Sequence, residues 1–162
     1  METLSLFAEL AIGLLGFSGV VSALGRSKLP VAVREFRVVA LLVYSAMTCL
    51  ASLLPIVLMS YQFELSLTWM MSGTALMVLL LFVPLITALR FTSVLSTDTS
   101  LRVIRVPVYV LLVTVWVYLG YGLLFNLENL QAIYLVGVSY LLAMGIFHFC
   151  MLVSSIQFEE GG

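Results

Sequence analysis

Two titratable side chains, Glu9 and His148, stand inside long apolar stretches of this chain. A carboxyl group among apolar neighbours can bind a cation or carry a proton, and histidine is the side chain most readily titrated near neutral pH. Glu9 heads a stripe at helical spacing, followed by Gly13, Gly16, Val20 and Ala23 at i+4, i+7, i+11 and i+14. The stripe is polar at its start and small below, so another helix can approach it closely. Ser18 lies in the same segment, and His148 shares a helical face with Gly145, Leu141 and Gly137. Glu9, Gly13, Gly16, Ser18 and His148 are read as an ion or solute pathway, and Gly19, Gly137 and Gly145 as helix-packing positions.

The elements that position these residues follow from composition. The 162 residues are 63% apolar and 9% charged, with a mean hydropathy of +1.22. A soluble domain is about 45–50% apolar and about 25% charged. A soluble globular domain, a disordered chain and a nucleic-acid binder with a basic face are therefore excluded. The expected fold is all-α: a polytopic membrane protein in which residues 1–162 form a single transmembrane helical domain. A helix needs about 20 apolar residues to cross the hydrocarbon. Five segments qualify, at 3–24, 38–60, 65–89, 106–126 and 130–156. Their continuous apolar character argues against a barrel, whose strands alternate polar and apolar residues.

All seven Lys and Arg residues lie in two connections: Arg26, Lys28, Arg34 and Arg37 in the first, Arg90, Arg102 and Arg105 in the third. Five spans put both connections on one side, which the positive-inside rule makes cytoplasmic. The N-terminus is then outside, the C-terminus inside, and the expected location is the plasma membrane or a bacterial inner membrane. Arg26, Lys28, Arg34 and Arg37 are expected at lipid headgroups, with 29–37 able to form a short interfacial helix. Asp98, Thr99 or Ser100 can cap the fourth helix. Pro55 and Pro84 are expected to kink their helices, and Pro107 to occupy a first turn. Tyr61, Phe63, Trp69 and Phe125 read as an aromatic belt, and Cys49 and Cys150 as small buried residues. By helical rise Glu9 lies roughly 10 Å inside the outer edge, level with Ser52, Ser72, Thr74, Tyr118, Tyr121 and Ser139. His148 lies about 12 Å from the opposite edge, level with Ser18, Ser45, Thr48 and Thr114.

Two short patterns carry resemblances. Gly16-Phe17-Ser18-Gly19 resembles the G-x-S-G motif of rhomboid intramembrane proteases, which implies a Ser18–His148 dyad in an intramembrane serine protease. Those proteases have more spans, and their serine starts a helix. Glu9 in Ala8-Glu9-Leu10 resembles the first-helix glutamate of small multidrug-resistance antiporters, which implies proton-coupled small-molecule antiport. Those chains are shorter, with fewer spans. The residues themselves favour a non-enzymatic reading: a homo-oligomeric channel or conduit for a cation or small polar solute, with Glu9 near its outer mouth. The alternative is a structural or regulatory subunit of a larger membrane complex. Expected partners are the lipid bilayer, further copies of the chain or another membrane subunit. No nucleic acid, metal or cofactor is indicated.

Overall fold

The computed structural model describes the backbone at residues 2–24, 26–27, 30–97, 99–125 and 127–157, and side chains at 2–20, 30–82, 107–125 and 128–155. Five helices make the fold: α1 (Glu2–Leu24), α2 (Val31–Ser60), α3 (Leu65–Thr97), α4 (Thr99–Phe125) and α5 (Leu130–Val153). Each contains a stretch long and apolar enough to cross a membrane, an arrangement compatible with a multi-pass membrane protein. Among the described residues the one β pairing is a two-residue antiparallel match of Arg26–Ser27 with Ile156–Gln157. That pairing joins the C-terminal ends of α1 and α5 at one end of the bundle, here termed the basic end. Five alternating crossings require this arrangement.

The helices run further at the basic end than apolarity alone marks. α2 begins at Val31, α3 continues to Thr97 and α4 starts at Thr99. Apolarity detects only the part of a helix matched to hydrocarbon, whereas leucine and arginine sustain helix on either side of that boundary. Residues 31–37 therefore belong to α2 rather than to a separate interfacial helix. Pro30 precedes the first turn with φ −52°, and its carbonyl accepts the N–H groups of Val33 and Arg34 at 3.0 and 3.1 Å. Pro107 sits inside α4 rather than in its first turn. Lys28, Asp98 and the side chain of Pro84 lie outside the described residues.

α5 is the central helix. It packs against all four others, while α1 to α4 follow one another round it, and the ring is open between α4 and α1. Half of its span is buried, against 17% for α4. Its apolar residues are distributed on every side, which suits a helix surrounded by others. Glycines set the close approaches on the far side of the ring. A Cβ on Gly137 would lie 2.7 Å from Leu76 Cδ2 of α3, and one on Gly145 would lie 3.4 Å from Ser45 Oγ of α2. Cys49 is half-buried and Cys150 exposed, and both are free thiols, so the expectation of two buried cysteines is corrected. Tyr61, Phe63 and Phe125 are exposed as a belt requires, but Trp69 is buried, its ring 5.7 Å from that of Tyr134.

α2 runs unbroken through Pro55. Proline has no N–H, so the carbonyl of Ala51, one turn earlier, loses its helical donor. The hydroxyl of Tyr134 on α5 supplies a replacement, donating to Ala51 O at 2.5 Å in the core. Tyr134→Phe should therefore cost about 1–2 kcal/mol by leaving a buried acceptor unpaired. In a Pro55→Ala background an N–H is restored and the same change should be nearly neutral. Unfolding titrations in mixed detergent across this double-mutant cycle measure the coupling; equal losses in both backgrounds would refute it.

Candidate functional site

α1 has two faces with different roles. Leu4, Ala8, Ala11 and Ser18 are buried and recur at helical spacing, and this face holds α1 against α2. Glu9, Gly13, Gly16 and Val20 lie roughly 140° round the helix at 3.6 residues per turn, and all four are exposed. A Cβ added at Gly13, Gly16 or Gly19 would meet no atom within 4 Å. The small stripe is thus open in the protomer. Gly19, expected as a packing position, packs against nothing, whereas Gly137 and Gly145 are covered by α3 and α2.

The open face forms one wall of a groove whose other wall is α5. Glu9, Leu10, Gly13, Leu14 and Phe17 line one side, and Leu142, Ile146 and Phe149 the other, around a volume of about 370 Å³. Phe17 and Phe149 meet edge to face at 6.3 Å and close the groove toward the basic end. Glu9 is its single polar side chain, about 10 Å along α1 from the helix start by the 1.5 Å rise. A carboxyl group so placed can hold a cation, carry a proton or bond to a polar group on whatever covers the groove.

His148 is not in this groove. It lies about 200° round α5 from Ile146 and is buried against α2. Its ring stacks on Tyr44 at 5.6 Å and meets Phe36 and Phe147 edge-on at 5.9 and 5.5 Å. Aromatic rings therefore enclose it on several sides. Thr114 is exposed on α4 and donates to its own helix at Val110 O. Ser18 is buried, but its hydroxyl donates to Leu15 O at 2.7 Å. A nucleophilic serine must give that proton to its base, so the arrangement lacks the Ser18–His148 hydrogen bond that a dyad needs. Of the five pathway candidates, Glu9, Gly13 and Gly16 share one surface, while Ser18 and His148 face the protomer interior. Of the expected neighbours of Glu9, Ser52 and Ser72 are buried in the core and Thr74, Tyr118 and Tyr121 are exposed on α3 and α4, while Ser139 is exposed on α5 at helical spacing with Leu142, Ile146 and Phe149 of the groove wall.

Arg37 is also placed differently from its sequence expectation. It was expected at lipid headgroups but is 6% exposed, and its guanidinium NH1 donates to Met151 O at 2.7 Å. The early start of α2 carries Arg37 to the C-terminal turn of α5, where backbone carbonyls lack helical donors. Ser154 N–H serves Cys150 O, the Ser155 N–H and hydroxyl serve Leu152 O, and the Ser154 hydroxyl reaches Met151 O at 3.2 Å, so Arg37 adds the shorter, charged donor to the cap of α5. Arg34 is half-buried, and Arg26 lends its backbone to the pairing with Gln157.

Sequence reading missed Arg37 as a cap, Tyr134 as a partner for the Pro55 turn, and Gly73, Gly120 and Gly122 as packing positions. Only the proline carried a local signal, because it announces an unpaired carbonyl one turn back. Among the described residues no three His, Cys, Asp or Glu side chains come together as metal ligands. Comparison with protein-family models, with curated proteins and with solved structures finds no match for this chain.

Proposed function

We propose that copies of this chain associate in a membrane through the open face of α1, and that Glu9 lines a path for a cation or small polar solute at the axis of that assembly. The observation that carries this reading is the division of α1 into a packed face and an open one bearing Glu9, Gly13 and Gly16. A carboxyl group left facing hydrocarbon costs at least about 2.5 kcal/mol, so it favours a protein or water neighbour. A ring of identical copies supplies both, because the small residues allow close helix contact and the carboxyls converge. Rings of acidic side chains select cations by charge. Ser18 and His148 take no part in the path. The concentration of basic residues at one end supports a cytoplasmic basic end, with the N-terminus outside, in a plasma or bacterial inner membrane.

Native mass spectrometry of the particle in nanodiscs should show a closed ring of identical chains. Cation flux into vesicles should then fall or change selectivity in Glu9→Gln while the ring persists. A monomer, or a particle held together only by a different subunit, would replace this reading with that of a structural or regulatory subunit.

A further inference from the structure

A second polar cluster lies within the protomer, away from the Glu9 groove. Four buried polar atoms without a hydrogen-bond partner belong to the mutually packed helices α2 and α3: Ser52 Oγ on α2, and Thr68 Oγ1, Trp69 Nε1 and Ser72 Oγ on α3. Ser52, Thr68 and Ser72 are each 0% exposed. α2 and α3 are joined by a short turn at 61–64, so Ser52 and Ser72 both lie about 10–12 Å from that turn by helical rise. Tyr134 of α5 links the two helices. Its ring contacts Trp69, and its hydroxyl bonds to the carbonyl of Ala51, the residue before Ser52. Having given its proton to Ala51, that hydroxyl still accepts. Neighbouring hydroxyls bond within their own helices, Thr48 to Tyr44 O and Thr74 to Met70 O. Ser52, Thr68 and Ser72 do not.

We infer that this junction binds ordered water. Buried polar groups in folded proteins are paired with protein or with water, and a buried water typically bonds to about three such groups. The set here matches water in kind: three hydroxyls that donate and accept, an indole that only donates, and a phenol oxygen that accepts. It contains no carboxylate, imidazole or thiolate for a metal cation and no cationic side chain for an anion. The bound water bridges α2 to α3 in the half of the bundle remote from the basic end.

Radiolytic hydroxyl-radical footprinting of the full chain in nanodiscs tests this, because radicals born from bound water oxidise side chains that bulk solvent does not reach. Trp69 and Tyr134 should be oxidised in the unaltered protein, whereas Leu119, as fully buried as Tyr134 but among apolar residues, should not. In Ser52→Ala/Ser72→Ala the oxidation of Trp69 should fall about twofold, since two of the five polar groups that hold the water are removed. Thr68→Val is the second variant, expected to give a smaller fall, should the double variant not fold by circular dichroism. Absence of oxidation at Trp69 and Tyr134 in the unaltered protein would overturn the inference and assign the hydroxyls to carbonyls of their own helices. Undiminished oxidation in a folded variant would overturn it equally, by removing these hydroxyls from the water's partners.

Discussion

Replacing Arg37 with methionine should weaken the fold by about 2 kcal/mol, within the range of about 1.5–3 kcal/mol for a hydrogen bond to a charged group. Two terms oppose each other. Methionine fills much of the same space and removes a charge from a site that is 6% exposed, which is favourable. The acceptor, however, is the backbone carbonyl of Met151, which no side-chain substitution can remove. That carbonyl belongs to the last turn of α5, where the Ser154 hydroxyl at 3.2 Å is a longer, uncharged donor and where a cation also meets the negative end of the helix dipole. The loss of the cap dominates. Arg37→Lys should retain part of the stability, because an ammonium can still point at the carbonyl but lacks the fixed planar geometry of the guanidinium. Hydrogen exchange gives the local signature: amides of Val153 to Gln157 should exchange faster in Arg37→Met, together with Arg26 and Ser27, which pair with that segment. Unchanged exchange there would show that α5 is capped without Arg37.

Gly122→Leu should be as damaging, at about 2–3 kcal/mol for a side chain forced into a packed interface. Even the first added carbon would lie 2.6 Å from Ile133 Cδ1, 3.2 Å from Ile133 Cγ2 and 3.3 Å from Leu130 Cδ1. Ile133 and Leu130 are 2% and 1% exposed, so neither can swing aside into open space. Ile133→Val removes the nearest of those atoms at a cost of about 0.5–1.5 kcal/mol by itself. Combined with Gly122→Ala it should give less than the sum of the two losses, which detergent unfolding of the four proteins would read directly. Gly16→Leu is the contrasting change. No atom lies within 4 Å of a Cβ there, so the protomer should unfold as before and any effect should appear in assembly alone. A large loss of protomer stability in Gly16→Leu would mean that this face is not open.

Much of the architecture is legible in the amino-acid order. A chain this apolar has five stretches that can span hydrocarbon, and the water-membrane boundary forces each to close its own backbone hydrogen bonds as helix. The stripe headed by Glu9 is legible for the same reason: a carboxyl group and two glycines at helical spacing have a direction that apolar residues lack. Which face of each helix turns inward is a different matter. Lipid and protein core are equally apolar, so no periodicity separates them, and the even distribution round α5 conceals that it is the centre of the bundle. Tertiary packing alone turned His148 into an aromatic enclosure, Ser18 toward α2, and Arg37 onto the end of α5. It also left the Glu9 stripe uncovered, because the small residues that bind α1 to α2 are those of its opposite face. Helix ends followed a third rule. Apolarity reports where hydrocarbon stops, while the helix continues until its donors and acceptors find other partners, and at α5 the partner came from a residue 114 positions away in the chain.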